Sequence, residues 1–157
     1  MTEPAAITVE AFEALCRKEP GFYDFFGLVT EEIGRGSARV RLPQKQELLR
    51  PGGTVSGPAQ MGLADCAIYA ALLGAIGPVP LAVTTNFSIN FLSKPQAGDL
   101  ICSCRLLKLG KRLAVAEARV FGSDAAKVYS HVTATYAIPP SAIPPGAVDG
   151  TIISQIG

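Results

Sequence analysis

The sequence has little charge of either sign. Charged residues make up 17% of the 157 residues and hydrophobic residues 48%, whereas a disordered chain shows the opposite balance. The 14 basic and 13 acidic residues leave a net charge of +1, so the chain lacks the basic excess that a general nucleic-acid binder uses to neutralise phosphates. It also lacks a basic amphipathic helix of the membrane-surface type. We therefore expect one domain, residues 1–157, with no nucleic-acid or membrane partner.

Metal ligands are scarce as well. The chain has one histidine and four cysteines, and no two cysteines form a C-x-x-C pair. A zinc site needs several such ligands close together, so we expect no metal. The cysteines are predicted to be small buried apolar residues. Residues 1–10 lack the basic residues and apolar run of a signal peptide, which indicates a reducing, cytoplasmic compartment.

The hydrophobic pattern predicts a helix, two strands, a second helix and four more strands. The first helix is predicted within residues 8–19, with Thr8 as its N-cap, and the second from about residue 56 to 75. The predicted strands cover 28–33, 38–42, 81–92, 100–108, 113–121 and 127–138. Residues 43–55 are predicted to form a loop, and the tail 139–157 to wrap the surface or to be partly disordered.

The second helix is apolar nearly all round and must therefore be enclosed. An antiparallel sheet must bury one face, so the simplest packing curls the sheet around that helix, giving an α+β fold. Residues 66–93 carry no charge and are long enough to span a membrane. Glycines and prolines interrupt this run, and its second half alternates like a strand, which favours a buried helix followed by a strand.

Asp65 and Gly57 are the two positions in the second helix where chemistry is expected. Asp65 is the only charged residue between Arg50 and Lys94, and an unpaired buried carboxylate is costly or has a raised pKa. It is either a structural carboxylate with polar partners or a functional group. Gly57 offers a free N–H at the start of the helix, because Pro58 has none. The alternative for Gly57 is a plain capping glycine.

Three stretches resemble the motifs of a known family. The run from Ser56 to Asp65 resembles the pattern H-G-G, four residues, L-x-D. Residues 83–92, followed by Pro95, Gly98 and Asp99, resemble the strand and turn that come next in that family, and residues 108–115 are similar too. On these residues the chain resembles the hotdog-fold acyl-CoA thioesterases of the phenylacetate-pathway (PaaI-like) type, over about residues 25–138.

The resemblance implies a hotdog fold, an antiparallel sheet wrapped around a long central helix, and hydrolysis of acyl-CoA to a free acid and coenzyme A. It implies that Asp65 is the catalytic carboxylate, as general base or as nucleophile, and that the Gly57 N–H polarises the thioester carbonyl. Thr84 matches a hydroxyl that helps to hold the attacking water, and Tyr69 matches another site hydroxyl. No cofactor is implied, since coenzyme A is part of the substrate.

The chain departs from the family pattern at two positions. Ser56 replaces the family histidine, and its hydroxyl can still donate a hydrogen bond over a shorter reach. Arg50 stands where asparagine or glutamine is usual, and it could pair with Asp65 or bind substrate. These departures keep open a non-catalytic acyl-CoA or lipid binder, and a subunit that serves assembly only. His131 is predicted to be structural or exposed.

Candidates for substrate contacts are less specific. A basic cluster could bind the phosphates of coenzyme A, or it could be an ordinary solvated hairpin; it comprises Lys94, Lys108, Lys111 and Arg112. Four apolar residues could line an acyl pocket, or they could belong to the core; they are Met61, Ile68, Leu72 and Phe87.

The spacing of Gly57 and Asp65 also predicts the assembly. Eight residues of helix separate their backbones by about 12 Å along the axis, whereas an attacking water must lie about 3 Å from both the carbonyl carbon and the base. One chain therefore cannot bring both groups to the same thioester. We expect a homodimer with two shared sites, which pairs again to form a tetramer.

Overall fold

The computed structural model describes residues 3–18 and 21–140. Its helices are α1 (Val9–Arg17), α2 (Phe22–Phe26) and α3 (Gly57–Ile76), and a short 3-10 turn covers Gln46–Leu48. Its strands are β1 (Val29–Gly34), β2 (Ser37–Leu42), β3 (Leu49–Arg50), β4 (Thr54–Val55), β5 (Val83–Phe91), β6 (Leu100–Leu109), β7 (Leu113–Phe121) and β8 (Val128–Ala137). The predicted tail lies outside the described residues from position 141 onwards.

Every predicted helix and strand is present, with ends that differ by at most two residues. Two regions contain elements that were not predicted. Residues 43–55 are not a simple loop, because they contain the 3-10 turn and the two-residue strands β3 and β4, which pair with each other. The five-residue helix α2 is little more than one turn, too short to show a periodicity, and it ends at Gly27, whose φ of 70° suits glycine.

Six strands form one antiparallel sheet in the order β1-β2-β6-β7-β8-β5. One face of this sheet packs against α3, so the predicted hotdog arrangement is confirmed. Gly74 allows the close approach of α3 to β1, because a methyl group there would overlap the carbonyl oxygen of Gly34. Strands β1 and β5 are the two edges of the sheet.

Helix α3 is the one helix within the described residues that is long and apolar enough to cross a membrane. Most of its residues are buried within the chain, including Leu63, Ile68, Leu72 and Leu73. Burial against the sheet therefore accounts for its composition, as the sequence predicts.

A buried hydrogen-bond cluster fixes the N-terminal helices. Thr8 caps α1 by accepting a 3.1 Å hydrogen bond from the Ala11 N–H, as predicted. From α1, the Glu13 carboxylate accepts hydrogen bonds from the Tyr23 hydroxyl at 2.6 Å and from the Thr30 N–H at 3.0 Å. Glu13 thereby ties α2 and β1 to α1, which sets where α2 lies over the central helix.

Candidate active site

The Asp65 carboxylate is held by two hydroxyl groups. Its Oδ1 atom accepts a 2.8 Å hydrogen bond from Thr84 Oγ1 on β5 and a 2.8 Å hydrogen bond from the Tyr136 hydroxyl on β8. Asp65 is half-buried, and its Oδ2 atom accepts no hydrogen bond from any described residue. One carboxylate oxygen is thus fixed by the protein, while the other remains available to a water molecule or a substrate.

Tyr136 is the site residue that the sequence analysis missed. Thr84 and Tyr136 are directly paired across β5 and β8, so both hydroxyls reach the same carboxylate. Burial, together with the negative charge of Asp65, raises the pKa of Tyr136 far above its ordinary value. The phenol therefore stays protonated and donates. The alternation along β8 indicates that Tyr136 faces the core, but the pairing of β8 with β5 is needed to bring it to Asp65.

A mainly apolar cavity of about 340 Å³ opens beside Asp65. It is lined by Phe22, Phe26, Met61, Gly62, Asp65, Thr84 and Phe87. Of the predicted acyl-pocket residues, Met61 and Phe87 line this cavity. Ile68 and Leu72 are instead buried in the core, which is the other alternative that the sequence left open for them.

The structure does not bring Gly57 and Ser56 to this cavity within one chain. Ser56 is the N-cap of α3, and its hydroxyl accepts a 3.4 Å hydrogen bond from the Ala59 N–H. Gly57 is the first helical residue, and the described part of the chain supplies no acceptor for its N–H. The Phe91 ring packs so closely that a Cβ atom at Gly57 would lie 3.2 Å from it.

The remaining polar candidates lie around the site rather than in it. The Tyr69 hydroxyl donates to the Pro80 carbonyl at 3.3 Å, and its ring stacks on Tyr136; burial raises the pKa of Tyr69 to about 12. Arg50 is exposed on β3, and no ion pair joins it to Asp65 or to another described residue. The pairing of Arg50 with Asp65 that the sequence left open is therefore not formed within one chain, and Arg50 does not line the cavity.

Lys111 and Arg112 are exposed in the turn between β6 and β7. The following residue, Leu113, pairs with Ala137, which in turn pairs with Val83. The turn therefore lies at the same end of the sheet as Thr84.

The cysteines and His131 are not part of this site. Three cysteines are buried, as predicted, whereas Cys16 is only half-buried. Burial raises the thiol pKa of Cys16 to about 11 and of Cys104 to about 12, so neither is a ready nucleophile. His131 lies 3.3 Å from Glu117, which also pairs with Arg105. Across residues 3–18 and 21–140, no three His, Cys, Asp or Glu side chains are grouped as metal ligands would be.

Several known proteins are similar to this chain in sequence and in fold. Residues 52–129 match the family described as the thioesterase superfamily. A candidate esterase of Thermoplasma acidophilum is 32% identical over 82 residues, which span 52% of this chain and 61% of that protein. A solved structure described as a candidate thioesterase, from Silicibacter sp. TM1040, is 36% identical with a TM-score of 0.77 and covers 87% of this chain and 94% of that one.

A variant of the phenylacetic acid degradation protein PaaI from Thermus thermophilus matches with a TM-score of 0.66 over 74% of this chain and 97% of that one. Its 24% identity shows the fold alone. The family match and the Silicibacter structure confirm the resemblance drawn from the sequence, and the chain belongs to the thioesterase superfamily.

Proposed function

We propose that the protein hydrolyses an acyl-CoA thioester to a free acid and coenzyme A. Membership of the thioesterase superfamily supports thioester hydrolysis in general. The observation that carries the proposal is the Asp65 carboxylate, held by two hydroxyls at the edge of a cavity whose other side chains are mostly apolar. An acyl group fits the apolar part of this cavity, and its thioester carbon then lies beside the carboxylate.

Asp65 activates the attack on the thioester. Thr84 and Tyr136 hold Oδ1, so Oδ2 is the atom that takes a proton from water. The water oxygen bonds to the carbonyl carbon as this proton leaves. Such general-base catalysis accelerates a reaction by about 10²–10⁴-fold. In the alternative route, Oδ2 attacks the carbon itself and forms a mixed anhydride with the acyl group, which water then hydrolyses to the free acid and the regenerated Asp65 carboxylate. In both routes the C–S bond breaks, the coenzyme A thiolate leaves, and it acquires a proton.

The N–H of Gly57 stabilises the oxyanion that forms on the carbonyl oxygen, an effect of about 10²–10³-fold for one well-placed donor. This donor must come from a second copy of the chain, because Gly57 and Asp65 lie about 12 Å apart along α3. The proposed active unit is therefore a dimer with two shared sites.

Edge strand β5 supplies the geometry for this dimer. Two large apolar side chains at its ends are exposed in the single chain, Val83 at 53% and Phe91 at 52%. Gly57 contacts Phe91 at one end of β5, whereas Asp65 bonds Thr84 at the other end. Antiparallel pairing of two β5 strands about a two-fold axis therefore brings Gly57 of the partner subunit toward Asp65. A further pairing of dimers would give the tetramer.

The remaining predicted residues fit this arrangement. Ser56 directly precedes Gly57, and Arg50 lies on β3, which pairs with β4 immediately before α3. Both therefore belong to the segment that leads into Gly57, and we assign them to contacts with the bound substrate. Tyr69 supports the site by stacking on Tyr136. Lys111 and Arg112 supply positive charge for the phosphates of coenzyme A. We place the enzyme in the cytoplasm, in keeping with its four free thiols.

A panel of acyl-CoA esters with a thiol-release readout tests the proposal. Asp65→Asn should abolish turnover and leave binding of the ester intact. Asp124→Asn is the matched control, because Asp124 is exposed in the β7–β8 turn, where asparagine also suits the turn. Full turnover by Asp65→Asn would overturn the mechanism. Tight binding of acyl-CoA by the native protein without turnover would instead support the non-catalytic binder.

A further inference from the structure

Helix α2, which the sequence pattern did not predict, forms one wall of the cavity. Two of its side chains, Phe22 and Phe26, line the space beside Asp65. The Phe26 ring lies directly on Gly62 of α3, where an added Cβ atom would be only 2.7 Å from Phe26 Cε2. Any larger residue at position 62 would therefore displace the ring, so Gly62 creates the seat that Phe26 occupies.

This seat is close to the proposed reacting carbon. Gly62 comes three residues before Asp65, so both lie on one face of α3, separated by about 4.5 Å along its axis. Phe87 also lines the cavity; it follows Thr84 by three residues on β5, and the irregularity between Thr84 and Asn86 lets both side chains reach the same face. An acyl group whose carbonyl lies beside Asp65 thus meets the rings of Phe26 and Phe87 within a short distance.

Phe26 is held firmly in this position. Its ring packs edge-on against Phe25, with centroids 5.2 Å apart, and against Phe22 at 6.2 Å. The same short helix is anchored by Tyr23, whose buried hydroxyl bonds Glu13 and lies 3.0 Å from the Thr30 hydroxyl. These contacts with two neighbouring rings and the anchored helix keep the Phe26 ring in one position, so it forms a fixed wall of the cavity.

The part of the cavity that one chain forms is small and bounded by the Phe26 ring. Its volume of about 340 Å³ is at the lower end of the range of small-molecule pockets, about 300–1,000 Å³. We infer that the site takes a compact apolar acyl group, either a short chain or a single ring, and that Phe26, seated on Gly62, limits the length of that group. This inference rests on the proposed thioester hydrolysis.

Replacing Phe26 by a smaller residue should open the cavity along α2. An extra methylene group that an apolar pocket cannot accommodate lowers kcat/KM by about tenfold or more. Phe26→Ala should therefore raise kcat/KM for long-chain esters, relative to that for short-chain esters, by about tenfold. Phe26→Leu should have an intermediate effect, and it keeps an apolar side chain in the seat in case the alanine variant fails to fold.

The experiment measures kcat/KM for the native protein and these variants over saturated acyl-CoAs from acetyl to palmitoyl, with benzoyl-CoA as the ring-containing arm. Leu107→Ala is the control, because Leu107 lies on β6, is 50% exposed and does not line the cavity; its chain-length profile should equal the native one. A native preference for palmitoyl-CoA, or an unchanged profile in both Phe26 variants, would overturn the inference alone. Absence of turnover by the native protein on every ester would overturn the proposed function as well.

Discussion

The Tyr136 hydroxyl donates a 2.8 Å hydrogen bond to Asp65 Oδ1 across 71 residues of sequence, and it joins strand β8 to the middle of the central helix. With Thr84 it leaves one carboxylate oxygen fixed and the other open to the cavity. The position of this second oxygen is the feature on which the proposed hydrolysis depends.

Tyr136→Phe should slow the reaction without loss of the fold. A hydrogen bond to a charged group contributes about 1.5–3 kcal/mol, which corresponds to a fall of about 10–100-fold in kcat if the bond matters fully in the transition state. KM should change little, because the cavity wall is kept. Steady-state kinetics on the best acyl-CoA ester, with thermal unfolding measured alongside, would show this.

Tyr69→Phe is the control for that variant, since it keeps the stacked ring and removes only the hydrogen bond to Pro80. Its kcat should stay within about twofold of the native value, a free-energy difference below about 0.5 kcal/mol. Equal kinetic losses in both variants would mean that ring packing, and not the hydrogen bond to Asp65, explains the effect.

Acid should weaken the attachment of α2 to the rest of the chain through Glu13. Partial burial acts to raise the pKa of Glu13, but the hydrogen bonds from Tyr23 and Thr30, with the charge of Arg17, lower it overall from 4.5. Because the pKa is lower in the folded state, the unfolded state takes up the proton first as the pH falls. The stabilisation is therefore complete above the unfolded-state pKa and is lost as the pH falls through the folded-state pKa.

Chemical denaturation from neutral pH to about pH 3 tests this linkage. Glu13→Gln should reduce the free energy of unfolding at neutral pH and should flatten its decline in acid. Glu10→Gln, an exposed change on the same helix, should retain the native slope. If the free energy of unfolding of Glu13→Gln fell with pH as steeply as that of the native protein, Glu13 would not be the group that causes the loss of stability in acid.

The sequence could predict most of the fold because apolar and polar residues alternate along several strands and because helix caps depend only on neighbouring residues. Strand β7 was predicted with its observed ends, Leu113–Phe121, since turn-forming residues stand on both sides of it, and Ser56 marked the start of α3. Helix α2 could not be predicted in this way, because its position depends on the packing of Phe26 on Gly62 and on the anchoring of Tyr23 by Glu13.

The candidate site divides in the same manner. Asp65 could be singled out because it is the one charge in a long uncharged stretch. Its partner Tyr136 could not, because strand order decides which residues of β8 meet β5. The choice between acyl pocket and core stayed open for Ile68 and Leu72, because helical spacing alone does not show which face of an entirely apolar helix borders the cavity.

The proposed dimer can be disrupted at strand β5. Val83→Lys places a charge on the exposed edge, where it opposes strand pairing. We expect a monomer in sedimentation velocity. We also expect kcat/KM to fall by about 10²-fold, which is the loss caused by removing one hydrogen-bond donor to the oxyanion. Leu107→Lys, a change at an equally exposed residue on β6 (Leu107 is 50% exposed), should leave the oligomer and its activity unchanged. A fully active Val83→Lys monomer would contradict the shared site.

Complementation between two inactive variants tests the central claim most directly. Gly57→Pro removes the N–H at a helix position that tolerates proline, and Asp65→Asn removes the base; each should be inactive alone. After the two are refolded together in equal amounts, half of the dimers should be hybrids with one intact site, which restores about a quarter of the native activity. Activity no greater than the sum of the separate variants, in a mixture shown to contain hybrids, would contradict a site built from Gly57 of one subunit and Asp65 of the other.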